Sequence, residues 1–283
     1  MIVFLFPFLY NQVMQVYRKM IVGFGVALCG LAFLFLFWPD EGGEHPMPLI
    51  TYHFSSHYEE RSRPISHIVI HSFALPVSEM ISRLDTLKVS THYLIDTQGN
   101  IIQLVPDDKV AWHAGKSYWR GETGLNATSI GIELQNSTLG QTVFPEQQID
   151  SCMRLLRYLI QKYKIQPTHI VSHSDIAPTR KVDVGKTFPW QKMAEHGIGV
   201  WNNHDVNDIP LIMDEARLLS DIGYDITDLD KALLAFERRY IPDLIPDDSD
   251  IEHLEENLVS IQPVRNQEVI KRLNAVARSF QTK

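Results

Sequence analysis

The sequence predicts an α/β protein with a central β-sheet of mixed direction flanked by helices, an N-terminal membrane segment and a small all-helical C-terminal appendage. Three observations support this fold class. Short β-branched segments alternate with amphipathic helical segments between residues 65 and 201. A tight turn joins two of these strands, so the sheet cannot be purely parallel. After residue 201 only helical periodicity remains.

Five strands and two helices are predicted before residue 201. The strands are 67–71, 91–96, 101–105, 129–135 and 168–173, and the helices are 77–88 and 146–164. Gly99 lies in the turn between the second and third strands, where a positive φ is needed. The C-terminal helices are predicted at 210–222, 229–240 and 264–280, with a weaker helical signal in the acidic stretch 247–256.

Residues 1–40 are apolar, and residues 21–38 within them carry no charge and are long enough to cross a bilayer. Arg18 and Lys19 precede this segment and acidic residues follow it, which predicts that the rest of the chain lies outside the cytoplasm. An uncleaved anchor is favoured, and a removed signal peptide is the alternative. The polar stretch 41–64 is predicted to be a linker, which places the main domain at 65–201 and the helical region at 202–283.

The net charge of −8 argues against nucleic acid as the main partner, because phosphate binding needs a basic face. No feature of the sequence predicts an oligomeric state.

Three possible metal ligands stand at or after strand ends. His71 closes the first predicted strand, His173 closes the fifth, and Asp183 lies in the loop that follows. Two imidazoles and one carboxylate suit catalytic zinc, which usually keeps a fourth position for water. The alternative is that these residues have no role in metal binding, because histidines at strand ends are more often hydrogen-bonded surface or core residues.

Two further residues could take part in hydrolysis. Glu133 is a carboxylate inside an apolar strand, where an unpaired acid is costly unless it is functional. It could also be an outward-facing residue of an alternating strand. Lys181 lies two residues before Asp183 and could meet a developing negative charge. An ordinary solvated lysine is the alternative.

Several segments together resemble the type-2 N-acetylmuramoyl-L-alanine amidases, a family whose fold is shared with peptidoglycan-recognition proteins. In family order they are IVIHSF (68–73), STHYLID (90–96), AWHAG (111–115), LNATSIGIELQN (125–136) and HSDIAPTRKVDVGKTFPW (173–190). These segments lie within about half of the chain, from residue 65 to residue 201. AWHAG, with the WRG and LN that follow it, most resembles the AmiD-like, envelope-attached branch.

The resemblance implies zinc-dependent hydrolysis of the amide between N-acetylmuramic acid and L-alanine, in peptidoglycan or muropeptides at the bacterial cell envelope. It implies zinc ligands at His71, His173 and Asp183, an acid/base at Glu133 and an oxyanion stabiliser at Lys181. The residues that it places in the substrate groove are His92, Trp112, His113 and Asn126.

Relatives commonly carry proline where this chain has Val184, so the loop that holds Asp183 is expected to be looser. The C-terminal helices weakly resemble a peptidoglycan-binding module. Two other functions remain open: a peptidoglycan receptor without hydrolysis, and a zinc amidase acting on another acylated peptide.

Overall fold

The computed structural model describes residues 45–201, 211–247 and 253–281. The predicted membrane segment at 21–38 lies outside these residues. Within the described ranges, no helix combines the length and the apolar character needed to cross a membrane.

The described residues form ten short strands and eight α-helices. The strands are β1 (Ile50–Tyr52), β2 (Tyr58–Glu60), β3 (His67–Phe73), β4 (Tyr93–Ile95), β5 (Ile101–Gln103), β6 (Lys109–Ala111), β7 (Tyr118–Trp119), β8 (Glu122–Thr123), β9 (Ser129–Gln135) and β10 (Ile170–Ser172). The helices are α1 (Val77–Leu87), α2 (Glu146–Tyr163), α3 (His173–Ile176), α4 (Trp190–Glu195), α5 (Glu215–Ile222), α6 (Leu229–Tyr240), α7 (Leu254–Ser260) and α8 (Gln267–Gln281).

The main sheet has six strands in the order β1-β5-β4-β9-β3-β10. Only β4 and β5 pair antiparallel, while the other neighbours are parallel. The predicted sheet of mixed direction is therefore confirmed. Gly99 has a φ of +82° in the turn between β4 and β5, and a Cβ there would lie 2.5 Å from the carbonyl oxygen of Gln147. The turn requires glycine for both reasons.

The prediction of a linker over 41–64 is wrong for two segments. β1 is an edge strand of the main sheet, parallel to β5, and β2 pairs antiparallel with β6. Each strand has only three residues, and all of them except Ile50 are exposed. Such short strands show no alternation of apolar and polar residues, which is the signal that identifies a strand in a sequence.

β3 is buried on both faces, and its alternate residues belong to different layers. Ile68 and Ile70 pack with the apolar face of α2. Val69 points to the other face and joins a core with β10, α5, α6 and α8. On that same face, Phe73 packs with residues of α1. His71 therefore faces the side of the sheet covered by α1 and the C-terminal helices.

The C-terminal helices share their core with the sheet. Trp119 of β7 is fully buried, and its indole N–H donates to the carbonyl oxygen of Thr168 at 2.9 Å. Its ring contacts Tyr224 at 5.1 Å and Phe280 at 6.2 Å between ring centroids. The described residues from His45 onward accordingly form one compact unit. The predicted boundary at 201/202 therefore marks a change in secondary structure and does not separate two cores.

We expect Trp119→Ala to lower the free energy of unfolding by about 3–5 kcal/mol, because it removes a large buried side chain shared by the sheet and the helices. Urea unfolding of the purified protein measures this loss. Trp112→Ala is the matched control, since it removes the same side chain from a half-buried position. Equal losses for the two variants would contradict the shared core.

Candidate metal centre

The register of three parallel strands aligns the candidate residues. His71 of β3 pairs with Glu133 of β9, and Ile70 pairs with Ser172 at the end of β10. Residues paired across parallel strands face the same side of a sheet, and His173 directly follows Ser172. His173, His71 and Glu133 thus form a row at the carboxyl ends of the strands, where open α/β sheets commonly bind ligands.

A capping box fixes the backbone that carries His173. The amide N–H of Asp175 donates to Ser172 Oγ at 3.1 Å, and the amide N–H of Ser172 donates to Asp175 Oδ2 at 2.8 Å. These two bonds turn the chain from strand β10 into helix α3. His173 is the first residue of that helix, so its direction depends on this turn.

The loop that carries Asp183 is packed, contrary to the expectation that Val184 would loosen it. Val184 is buried, with 1% of its surface exposed, and the peptide bond before it is cis. The carbonyl oxygen of Asp183 accepts a bond from the amide of Ser174 at 2.7 Å. A Cβ at Gly140 would lie 2.1 Å from the carbonyl oxygen of Val184, and one at Gly185 would lie 2.2 Å from that of Leu139. Direct backbone contact therefore holds this loop.

Three ligand atoms converge at the candidate metal centre. His71 Nδ1 and His173 Nδ1 are 2.9 Å apart, and Asp183 Oδ2 lies 3.2 Å from His173 Nδ1 and 3.5 Å from His71 Nδ1. Zinc bonds of about 2.0–2.1 Å in a tetrahedron separate ligand atoms by roughly 3.3 Å. The triangle therefore fits three ligands of a tetrahedral ion, and all three residues are buried.

The protonation states also suit metal binding. Burial, followed by the neighbouring His173, lowers the pKa of His71 to about 4. Burial alone would raise the pKa of Asp183, but His173 and His71 hold it well below its ordinary value. At neutral pH His71 is therefore a neutral imidazole and Asp183 a carboxylate, which are the forms that bind metal.

A chain of hydrogen bonds sets the tautomer of His71. Ser129 Oγ donates to the carbonyl oxygen of Leu125 at 2.6 Å, so it accepts from His113 Nε2 at 3.2 Å. His113 Nδ1 then accepts from His71 Nε2 at 3.0 Å. We assign the proton of His71 to Nε2 from this network, which leaves Nδ1 free to bind metal. His113 therefore orients a candidate ligand, a role that the sequence did not indicate.

Gly131 allows His113 to lie against strand β9. A Cβ at Gly131 would be 2.5 Å from Cγ of the His113 ring, which is much closer than carbon atoms approach. The backbone N–H of Gly131 is also bonded to His92 Nδ1 at 3.0 Å, so this strand cannot easily shift.

Gly131→Ala is expected to displace the His113 ring, to destabilise the fold by about 1–3 kcal/mol and to lower zinc affinity by roughly 10–100-fold. Thermal unfolding with and without added zinc measures both effects. Gly121→Ala is the control for zinc affinity, because a Cβ there meets no atom within 4 Å and its cost to stability comes only from a backbone φ of +85°. An unchanged zinc dependence in Gly131→Ala would refute the orienting role of His113.

Glu133 is a buried carboxyl group beside the ligand triangle. Within the described part of the chain, its Oε2 has no hydrogen-bond partner. Burial, together with the negative charge of Asp183, raises the pKa of Glu133 well above its ordinary value, and Lys181 opposes this shift. A carboxyl group tuned in this way can exchange protons nearer to neutral pH. Lys181 is half-buried on the Asp183 loop, close enough to act on Glu133 electrostatically.

The predicted groove residues have different environments. Trp112 is half-buried, and its indole N–H donates to Glu59 Oε1 at 2.9 Å. Asn126 Oδ1 accepts from the amides of His113 and Ala114 at 3.1 and 2.7 Å, so this side chain shapes the loop beneath the site.

His92 differs from the prediction that it contacts substrate. It has no exposed surface, and its Nε2 donates to the carbonyl oxygen of Lys109 at 3.2 Å. Its Nδ1 accepts the Gly131 amide, so both ring nitrogens bond the protein backbone. Burial, reinforced by Arg61, lowers the pKa of His92 to about 4 and keeps the ring neutral. His92 therefore holds strand β9 through the Gly131 amide and exposes no surface to a ligand.

Comparison with known proteins shows which family this chain belongs to. A family model described as N-acetylmuramoyl-L-alanine amidase matches residues 61–186. N-acetylmuramoyl-L-alanine amidase AmiD of Escherichia coli is 34% identical over an alignment 221 residues long, which covers 66% of this chain and 79% of the relative. The chain belongs to this amidase family. The match to AmiD also supports the expected AmiD-like branch.

Other members of the amidase family support the same assignment. The 1,6-anhydro-N-acetylmuramyl-L-alanine amidase AmpD of Haemophilus influenzae is 33% identical over 161 residues, covering 49% of this chain and 86% of the relative. The structure of Escherichia coli AmiD with the substrate anhydro-N-acetylmuramic acid-L-Ala-D-gamma-Glu-L-Lys has a TM-score of 0.62 and 28% identity. It covers 81% of this chain and 98% of AmiD. AmpDh3 of Pseudomonas aeruginosa, in complex with anhydromuramic pentapeptide, has a TM-score of 0.62, 26% identity and coverage of 83% and 98%.

Proposed function

We propose that this protein is a zinc-dependent amidase that hydrolyses the bond between N-acetylmuramic acid and L-alanine in peptidoglycan or muropeptides. The observation that carries the proposal is the ligand triangle of His71, His173 and Asp183, with Glu133 in the neighbouring strand. The buried Oε2 of Glu133 has no hydrogen-bond partner among the described residues. The AmiD and AmpDh3 structures that match this fold hold muropeptides, which supports the substrate class.

His71, His173 and Asp183 are the residues that would hold zinc. When bound there, zinc supplies Lewis acidity, which polarises the amide carbonyl and lowers the pKa of water to about 7. Glu133 takes a proton from the attacking water and returns it to the departing amine of L-alanine. The raised pKa of Glu133 suits this double role, because the group must both accept and release a proton.

Lys181 stabilises the negative charge that develops on the carbonyl oxygen of the substrate. It lies on the same loop as Asp183, and the packing of that loop against Gly140 fixes its backbone. Its amide N–H also donates to the carbonyl oxygen of Ala177 at 3.0 Å. A charged donor held in advance of the reaction stabilises the transition state more than one that must reorganise. Trp112 provides an aromatic surface at the rim, suited to the sugar or to the stem peptide.

A membrane location at the cell envelope is part of the same proposal. It rests on the uncharged segment 21–38 and on the basic residues before it.

The test uses the full-length protein, purified in mild detergent and incubated with muropeptides of known composition. We expect mass spectrometry to find free stem peptide and free amino sugar. A chelator should abolish both products, and added zinc should restore them. Intact muropeptide together with measurable binding would favour a receptor. Release of peptide that is unaffected by the chelator would exclude the zinc mechanism.

A further inference from the structure

A buried ionic contact connects helix α6 with helix α3, which begins at His173. Asp175 has no exposed surface, and its Oδ2 accepts from Arg239 Nη1 at 2.5 Å. Its Oδ1 accepts from the hydroxyl of Tyr224 at 2.7 Å. The carboxylate of the capping box is therefore held by two residues of the C-terminal helical region.

Several contacts also fix the guanidinium of Arg239. Its Nη2 donates to the carbonyl oxygen of Ile170 in β10 at 3.3 Å. Its Cζ lies 3.8 Å from the ring centroid of Trp190, which begins helix α4. Gly199 lies beside both groups, since a Cβ there would be 3.2 Å from Arg239 Nη2. A planar guanidinium group that bonds both α3 and β10 and stacks on an aromatic ring has little freedom to move.

These contacts act at the turn that aims His173. The amide of Ser172, one residue before His173, is bonded to the same Asp175 Oδ2 that accepts from Arg239. Arg239 therefore bonds both ends of the short segment between Ile170 and Asp175. Residues that bind a metal must be held to about 0.5 Å and 10–20°, so a small rotation of this turn would misplace the imidazole.

We propose that Arg239 and Tyr224 are positioning residues for His173 and act through Asp175. The proposal rests on the zinc site of the proposed function. The C-terminal helices then complete the metal centre, in addition to any contact that they make with the cell wall. The sequence SHSD (172–175) contains half of this arrangement, since Asp175 closes the capping box with Ser172.

Tyr224→Phe is the variant with the least effect on packing. It keeps the ring that contacts Trp119 and removes only the hydroxyl that bonds Asp175. Arg239→Gln removes the ionic contact, while Arg239→Lys keeps the charge without the planar fork. Arg217→Gln is the matched control, because the Arg217 side chain of α5 is 64% exposed and lies 3.9 Å from Asp221.

The experiment measures zinc affinity of the full-length variants by competition with a chromophoric chelator. We expect Tyr224→Phe to weaken zinc binding by roughly 10-fold and Arg239→Gln by up to about 100-fold, the range found for residues that orient metal ligands. Arg239→Lys should recover part of the loss, and Arg217→Gln should bind zinc as tightly as the unmodified protein. Visible spectra of the cobalt-substituted proteins should show altered ligand geometry in Tyr224→Phe.

Circular dichroism identifies the variants that are folded. A folded Arg239→Gln with unchanged zinc affinity and cobalt spectrum would overturn the inference. If Arg239→Gln does not fold, the Tyr224→Phe variant decides the test. An unchanged zinc affinity of Tyr224→Phe would then overturn the inference. An unmodified protein that binds no zinc overturns the proposed function as well. One that binds zinc without cleaving muropeptides overturns only the proposed function.

Discussion

Glu133→Gln is expected to lower kcat by about 10²–10⁴-fold and to leave zinc content unchanged. Glutamine keeps the shape of the side chain but cannot carry the proton between water and the leaving amine. Because Glu133 lies beside the ligands and is not one of the three convergent groups, the ligand triangle should persist. Steady-state hydrolysis of a muropeptide, with zinc measured on the same sample, checks both parts.

Glu60→Gln is the control for this substitution. It makes the same substitution at an exposed position. The Glu60 carboxylate pairs with Lys109, and 82% of the Glu60 side chain is exposed. We expect its activity to match that of the unmodified protein. A Glu133→Gln protein with full activity and bound zinc would remove Glu133 from the mechanism.

Asp183→Ala is expected to abolish both zinc binding and hydrolysis. Two imidazoles would remain where catalytic zinc ordinarily takes three protein ligands. Zinc affinity should fall by more than the roughly 100-fold seen when only an orienting partner is lost. Metal analysis after dialysis against a weak chelator measures the loss, and activity with excess zinc shows whether it can be overcome.

Asp85→Ala is the control for Asp183→Ala, because it also removes a carboxylate that contacts a histidine. Asp85 pairs with His57 at 2.9 Å, but 75% of its side chain is exposed and it lies on α1. Its removal should leave zinc binding and activity unchanged. If Asp183→Ala retained stoichiometric zinc and full activity, the proposed ligand set would be wrong.

Most of the sheet could be predicted because its strands bury one or both faces. The segments 67–71 and 129–135 are β-branched and continuous, and they appear as β3 and β9 with nearly the same limits. β1 and β2 were missed because each is a three-residue strand with a largely exposed surface. β7 and β8 have only two residues each, which is too short for any periodic signal.

The candidate ligands could be predicted from their positions at strand ends, together with the family resemblance. The contacts that hold these candidate ligands in place could not be predicted, because they join residues that are distant in sequence. Nothing in the local sequence indicates that His113 bonds His71, or that Arg239 reaches Asp175. The same limit explains His92, whose burial depends on how β4 and β9 pair with their neighbours.

The row formed by His173, His71 and Glu133 has a consequence for quality control of the purified protein. Because side chains alternate along a strand, a shift of one residue between β3 and β10 would turn His71 to the opposite face. Tight zinc uptake would then report the fraction of molecules whose strands are in native register. Zinc at 100 times its dissociation constant would also add about 2.7 kcal/mol to the stability of that fraction, so metal supplied during refolding should enrich it.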